Sequence, residues 1–302
     1  MKDPNLSLAD VRFSLTGDWN ESEFPRFFAP FWIAADGADL DCAVSCRGPD
    51  DAVMAVPLAP DAPWEFTVRG RSCEVIRRNR AGETLWHIAA PLTFEQAEVS
   101  WNPRLFSDYY ESYERAWGSS FGVAMLCLRL RAHGGLVLHG NAAVVDGQAI
   151  LCVGVSGRGK STLARLLDAA GATVLTDERP VLRQWPPPAA GAAPARTFRV
   201  YGSPWPSSAG FARNAWAPLR RIYFLEHGAE NRLTPLAPRE AFNRLVHVAT
   251  IPWQDPVLFD PCLATVDALL AAVPASILAF RPDASAVDLL RRDLAADRGG
   301  GA

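Results

Sequence analysis

An α/β fold built on a mixed sheet, with a β-rich part in front of it, is the architecture this sequence predicts. Three observations lead there. Residues 1 to about 105 carry short runs in which polar and apolar side chains alternate, the pattern of half-buried strands. Residues 136–145 and 149–153 read as two apolar strands around an Asp146-Gly147 turn, so the second strand gains an antiparallel neighbour. That second strand then runs through a glycine-rich turn into Thr162–Leu167, whose apolar residues have helical spacing.

The 302 residues suffice for one large domain or two ordinary ones, and 49% hydrophobic content with 10% aromatics fills a sizeable core. A net charge of −3, without any long block of Lys and Arg, gives no general attraction to nucleic acid. The opening Met1–Leu6 lacks the apolar core of a signal peptide, and Phe121–Leu128 is too short to span a bilayer. No membrane partner and a cytoplasmic location are therefore expected. The six cysteines lack paired C-x-x-C spacing; Cys42 and Cys46 form at most half a zinc site, so reduced, packed thiols are expected.

In chain order, 39–46, 64–68, 73–76 and 84–88 read as strands, with turns at 48–51 and 80–82. His87 falls within the last of these strands and reads as structural. A helix is expected from Ser107, its N-cap, with Tyr110, Tyr113, Trp117, Phe121, Ala124 and Leu128 forming a core-facing stripe. After the glycine-rich turn, the helix stops at Gly171, and 172–175 forms a short strand. The Pro- and Ala-rich stretch 185–195 predicts a mobile loop. Strands follow at 221–225 and 277–280, and helices at 238–249, 260–272 and 285–294. The domains expected are 1–105, a β-rich unit for recognition, and 106–296, carrying the chemistry, with a disordered tail at 297–302.

Gly154 to Ser161 match G-x-x-x-x-G-K-[ST] at every fixed position. With a strand before it and a helix after it, this is the arrangement in which glycines free backbone N–H groups to surround phosphate. The helix dipole then points its positive end at the same oxygens. Gly154, Ser156, Gly157, Arg158, Gly159, Lys160, Ser161 and Thr162 are the expected nucleotide-binding residues. Lys160 would neutralise the β- and γ-phosphates of ATP, and the Ser161 hydroxyl would face Mg2+. Arg158 would either touch phosphate or point to solvent.

His139-Gly140 precedes this loop, and Asp177-Glu178 follows seventeen residues after Lys160, at the end of the return strand. That returns a carboxylate to the phosphate end of the sheet, where phosphoryl transfer to a hydroxyl needs a proton acceptor and a metal partner. Arg220 and Arg221 would either reach this end or flank it. The Tyr201–Trp205 segment reads as a substrate-side loop or a plain turn, and Asp283 and Asp288 as capping or surface residues.

Leu138-His139-Gly140, Gly154–Ser161 and Thr176-Asp177-Glu178 together resemble the HPr kinase/phosphorylase family, whose core is shared with ATP-dependent phosphoenolpyruvate carboxykinase. The resemblance spans about residues 107–183 and implies an HPr-kinase-like P-loop core. It makes Asp177 the catalytic base, sets His139 beside the transferred phosphoryl group, and puts Glu178 with Ser161 at Mg2+. The family's acidic pair is Asp-Asp, so Glu178 is a departure. The layout is similar to HPr-kinase-related proteins such as lasso peptide kinases. A Mg2+-ATP-dependent kinase acting on a serine or threonine of a protein or precursor peptide follows from that likeness, with homo-oligomers common among relatives. The alternatives are a small-molecule kinase, for instance of free serine, and an ATP-dependent binding module without transferase activity.

Overall fold

The computed structural model describes residues 5–17, 24, 26–33, 40–46, 64–79, 81–101, 117, 120–155, 157–186 and 197–298. These form a mixed α/β structure with two large sheets. The chain divides into two compact units, 1–132 with 252–259, and 133–251 with 260–302. The expected start of a helix at Ser107, the 48–51 turn, nearly all of the 185–195 loop and the 299–302 end of the tail lie outside the described residues.

The first unit is an eight-stranded sheet: β1 (Asn5–Leu8), β2 (Val11–Gly17), β3 (Trp32–Ile33), β4 (Leu40–Cys46), β5 (Glu65–Arg69), β6 (Ser72–Arg78), β7 (Thr84–Pro91) and β8 (Gln96–Trp101). Their order is β3-β1-β2-β4-β8-β7-β6-β5. The β2–β4 and β4–β8 pairs are parallel and the others antiparallel. Alternation had located β4 to β7 but not β1, β2, β3 or β8. Helix α1 (Ser120–Leu130) belongs to this unit, although the sequence division near 105 had assigned it to the second. Its aromatic stripe explains the difference. Phe121 meets Trp86 at 5.8 Å and Trp117 at 5.2 Å between ring centroids, and Trp117 meets Phe13 at 5.3 Å. Such edge-on ring packing favours the sheet that supplies the partner rings. All six cysteines are buried thiols, and burial pushes the Cys42 thiol up to about 12.

The second unit begins with β9 (Gly135–Val137), β10 (Gly140–Val145), β11 (Gln148–Val153), α2 (Lys160–Ala169), β12 (Thr173–Thr176), β13 (Val181–Trp185) and β14 (Thr197–Tyr201). It continues with β15 (Trp216–His227), β16 (Arg232–Pro235), α3 (Pro238–Val246), α4 (Pro256–Ala272, from residue 260 in this unit), β17 (Ala275–Phe280) and α5 (Ala284–Arg298). The strand path is β12-β10-β11-β15-β14-β13-β9, with β17 added to β15 and β16 to β17. The hairpin read from Asp146-Gly147 is present: β10 and β11 are antiparallel from Gly140↔Val153 to Val145↔Gln148. On its other side β11 runs parallel to β15. One face of this sheet is closed by α2 and α5, with Leu163, Leu167, Leu290 and Leu294 buried against Ile150, Cys152 and Leu278. Each such leucine contributes about 1.5–3 kcal/mol by leaving water.

The single strand expected over 136–145 is two, because the chain breaks at Leu138-His139. β9 pairs with β13 at Val137↔Val181, whereas β10 pairs with β12 at Ala142↔Thr176. The two chains are thus one antiparallel pair interrupted between those points. The Leu138 N–H donates to the Pro180 carbonyl at 3.0 Å, but Pro180 has no N–H to return, so the ladder opens there. The Gly140 N–H donates to the Glu178 carbonyl at 3.0 Å, closing the other side of the gap. Gly140 also has to be glycine for contact reasons, since a Cβ would lie 2.8 Å from the Cys152 carbonyl oxygen.

At the far end of the sheet, Arg221 lies opposite Ile150 in register and pairs with Asp293 at 3.1 Å, so it flanks the sheet away from the glycine-rich turn. Asp283 caps the start of α5: it accepts from the Ser285 N–H at 3.0 Å, and the Ser285 hydroxyl and Arg281 pull its carboxyl down to about 2. The buried Tyr223 hydroxyl donates to Asp293 Oδ2 at 2.7 Å. A hydrogen bond to a charged acceptor contributes about 1.5–3 kcal/mol. Tyr223→Phe should therefore lower unfolding stability by about that amount in urea denaturation, and an unchanged midpoint would show the bond to be idle.

Candidate phosphate-binding site

The site grows from the end of β11. Gly154 leaves the strand, Gly157 and Gly159 take φ of 82° and 85°, and α2 starts at Lys160. A side chain at Gly159 would be strained by that φ and would meet Phe280, whose Cζ lies 2.7 Å from an ideal Cβ. The loop is therefore held against β17 at the N-terminus of α2, and within it the Arg158 N–H donates to the Val155 carbonyl at 3.3 Å. Ser156 lies outside the described residues. Arg158 and Thr162 are exposed, and the His227 ring, at the end of β15, lies 2.9 Å from the Gly157 carbonyl oxygen.

Lys160 is buried, and its ammonium donates to the carbonyls of Gly154 (2.8 Å) and Val155 (3.2 Å). Burial lowers its pKa, an effect that Glu178 opposes and Arg179 reinforces. A partly buried cation whose hydrogen bonds go to neutral carbonyls is well placed to gain from an anion. The buried Asn141 side-chain amide donates to the Lys160 carbonyl at 2.8 Å and fixes the first turn of α2 to β10.

The interrupted strand pair brings His139 and Glu178 to this end of the sheet. His139 Nδ1 lies 3.0 Å from Glu178 Oε1, and Arg179 Nε is 3.9 Å from the same oxygen. The imidazole contact is bent away from ideal hydrogen-bond geometry. The backbone holds the histidine in place through its own N–H, which donates to the Val248 carbonyl at 2.7 Å. Burial pushes the Glu178 carboxyl up, but His139, then Arg179 and Lys160, outweigh it and hold the group below the usual carboxylate range.

Asp177 has a different setting. It is fully buried, and four donors close on it: the N–H groups of Ser207 (3.1 Å), Ala209 (3.1 Å) and Phe211 (3.2 Å), and the Ser207 hydroxyl. The Ser207 hydroxyl also lies 3.0 Å from the Ser161 hydroxyl. The motif residues are thus brought together in two subsites, Lys160 with His139 and Glu178, and Ser161 with Asp177. Sequence reading missed Asn141, Ser207, His227 and the ion-pairing of Arg179. None of the four carries a motif, and Ser207 lies two residues beyond the Tyr201–Trp205 segment read as a substrate-side loop or a plain turn.

Beside the loop is a cavity of about 370 Å³ at the ends of β11 and β15, roofed by α3. Val153, Val155, Phe224 and Val248 supply apolar lining, and Arg244, bonded to Glu226 at 2.8 Å, stands at its edge.

No protein-family model and no curated protein sequence matches this chain. Among solved structures it is similar to one described as the Hpr(Ser) kinase/phosphatase from Coxiella burnetii. The identity is 12% and the TM-score 0.31, over 54% of this chain and 99% of that one. Likeness at that distance carries no weight for function. No described helix is long and apolar enough to cross a membrane.

The depressed Glu178 carboxyl sets a pH dependence. A group whose folded pKa lies below its unfolded value stabilises the fold above the unfolded pKa and loses that contribution as pH falls through the folded one. The stability advantage of the parent protein over Glu178→Gln should therefore be full at neutral pH and shrink below the ordinary glutamate value of 4.5. Urea titrations of both proteins, from neutral down to about pH 3, read this directly. A difference that stays constant with pH would contradict it.

Proposed function

We propose that the second unit is a Mg2+-dependent ATP phosphotransferase that moves the γ-phosphoryl group to a serine or threonine hydroxyl of a protein or peptide. The observation that carries this reading is the buried Lys160 ammonium, held by its own loop at the N-terminus of α2, beside the His139–Glu178 pair. The residues fit the groups they would hold. Positive-φ glycines and a helix N-terminus suit phosphate oxygens, and the hydroxyl of Ser161 is the hard oxygen donor that Mg2+ prefers. When bound, Mg2+ supplies charge neutralisation on the triphosphate.

This chain's own residues then divide the work. The loop N–H groups hold the phosphates, and Lys160 exchanges carbonyl partners for phosphate oxygens. His139, with Nδ1 turned to Glu178, has Nε2 left to accept the proton of the incoming hydroxyl, and Glu178 stabilises the imidazolium that results. Asp177, saturated with donors, is assigned to organising Ser161 rather than to taking the proton. The base role expected of Asp177 thus passes to His139, and Glu178 moves from the Mg2+ position expected of it to partnering that histidine. The apolar cavity at Val155 suits an acceptor that brings a hydrocarbon neighbour to its hydroxyl, as a peptide does. Its size also lies in the range of small-molecule sites, which keeps a free amino acid as the second reading.

Transfer from γ-labelled ATP to serine- and threonine-containing peptides, and to free serine, tests these assignments. Glu178→Gln and His139→Ala should each cut the rate about a hundredfold or more, with nucleotide affinity little changed. Lys160→Ala should weaken both binding and transfer. Full transfer by His139→Ala would remove the proton acceptor proposed here. Loss of transfer in Asp177→Asn with binding intact would return that role to Asp177.

A further inference from the structure

The segment after β14 carries no motif, yet it is among the most heavily tied parts of the second unit. Gly202 leaves no space for a side chain: a Cβ there would lie 2.0 Å from the Arg213 carbonyl oxygen and 2.7 Å from that of Leu175. Arg213 donates through its N–H to the Leu175 carbonyl (2.9 Å) and through Nε to the Val174 carbonyl (3.0 Å), and Ala212 bridges to Thr176. The segment is therefore fastened along the end of β12. Between those ties it turns, with the Gly210 N–H donating to the Ser207 carbonyl at 3.1 Å and Gly210 at φ 82°. This turn aims the N–H groups of Ser207, Ala209 and Phe211 at Asp177. Arg165 of α2 holds the outer side through the Ser208 carbonyl at 3.3 Å.

Proton counting orders the side chains at its centre. An ionised carboxylate only accepts hydrogen bonds, and a hydroxyl has one proton to give. The Ser207 hydroxyl gives its proton to Asp177. Its contact with Ser161, at 3.0 Å, must then be one in which Ser161 donates and Ser207 accepts. The Ser161 proton is thereby committed to Ser207, and the lone pairs of its oxygen are left for a ligand. A serine that meets a divalent cation needs that orientation, because a cation binds lone pairs and is repelled by the hydroxyl proton.

We infer that Ser207 is a positioning residue for the divalent-cation subsite. It relays the charge of the buried Asp177 to Ser161 and fixes the Ser161 hydroxyl with its lone pairs toward Mg2+. The inference rests on the phosphate-loop reading and adds to it a residue outside any motif. It also explains why a carboxylate with four donors stands next to the loop: its function is to set the polarity of a hydroxyl chain, not to touch the nucleotide.

The test separates the cation-dependent part of nucleotide affinity from the rest. The fluorescent probe N-methylanthraniloyl-ADP is titrated into the full-length protein with Mg2+ and with EDTA in its place, for the parent, Ser207→Ala and Ser207→Thr. Ser207→Ala should lose most of the gain in affinity that Mg2+ confers, about five- to tenfold, while its affinity in EDTA stays within about twofold of the parent. Ser207→Thr, which keeps a hydroxyl, should recover the gain. A purely structural serine would weaken both titrations together, and that result would overturn the inference, as would a full Mg2+ gain in Ser207→Ala. If the parent binds no probe under either condition, the phosphate-loop reading fails and the relay falls with it. Parent binding with an unaltered Ser207→Ala overturns the relay alone.

Discussion

A carboxylate with no exposure to water is the constraint on which the second unit turns. Burying the charge of Asp177 without partners would cost several kcal/mol or force it to take up a proton. The chain answers with three backbone N–H groups and a hydroxyl, all from the segment Ser207–Phe211. Those four donors come from a stretch about thirty residues away in sequence, so they cannot converge unless β12, the following turn and the segment after β14 are all in place. The same carboxylate thus fixes a tertiary arrangement and, through Ser207, the hydroxyl of the first turn of α2.

A second device, the interrupted ladder, supplies the other half of the site. In the gap between β9–β10 and β12–β13, the Leu138 and Gly140 N–H groups bond across, to the Pro180 and Glu178 carbonyls, while the His139 N–H turns to Val248. Pro180 has no N–H to give, and the ladder is interrupted there, with β9 paired to β13 on one side and β10 to β12 on the other. His139 and Glu178 sit in that opening, and Lys160 approaches it from α2. Charges of both signs are packed closely enough to shift one another: Glu178 is held ionised by His139, Arg179 and Lys160, and Lys160 is made a weaker base by burial. Two carboxylates adjacent in sequence end in opposite environments, one saturated and sealed, the other partly exposed beside an imidazole. Distinct environments for neighbouring carboxyls are how one site separates structural from chemical roles.

The local part of this arrangement was legible in the sequence. The β10–β11 hairpin, the glycine-rich loop, the start and stop of α2 and the return strand β12 each rest on short-range signals: a turn dipeptide, glycines, and helical spacing up to Gly171. What was hidden depends on distant partners. Nothing near Ser207 announces that its donors answer Asp177. Leu138-His139 reads as the middle of a strand until Pro180 is known to lie opposite. The twelve-residue β15 was read only over its apolar half, because Trp216–Arg220 alternates buried and exposed residues around Pro218 at a place where it pairs with β14. In the first unit, alternation found β4 to β7, even though β4 is parallel to both of its neighbours, whereas β1, β2 and β8 are set by pairings that only the folded sheet reveals.

The most direct measurement of the central claim, that residues 154–161 form a triphosphate cradle completed by Lys160, is calorimetric titration of the full-length protein with ATP and Mg2+, alongside Lys160→Ala and inorganic tripolyphosphate as ligand. The account predicts saturable binding of ATP with one site per chain, competition by tripolyphosphate, and a large loss of affinity in Lys160→Ala without loss of the folded baseline. Absence of ATP binding in the parent, or equal affinity in parent and Lys160→Ala, would contradict it.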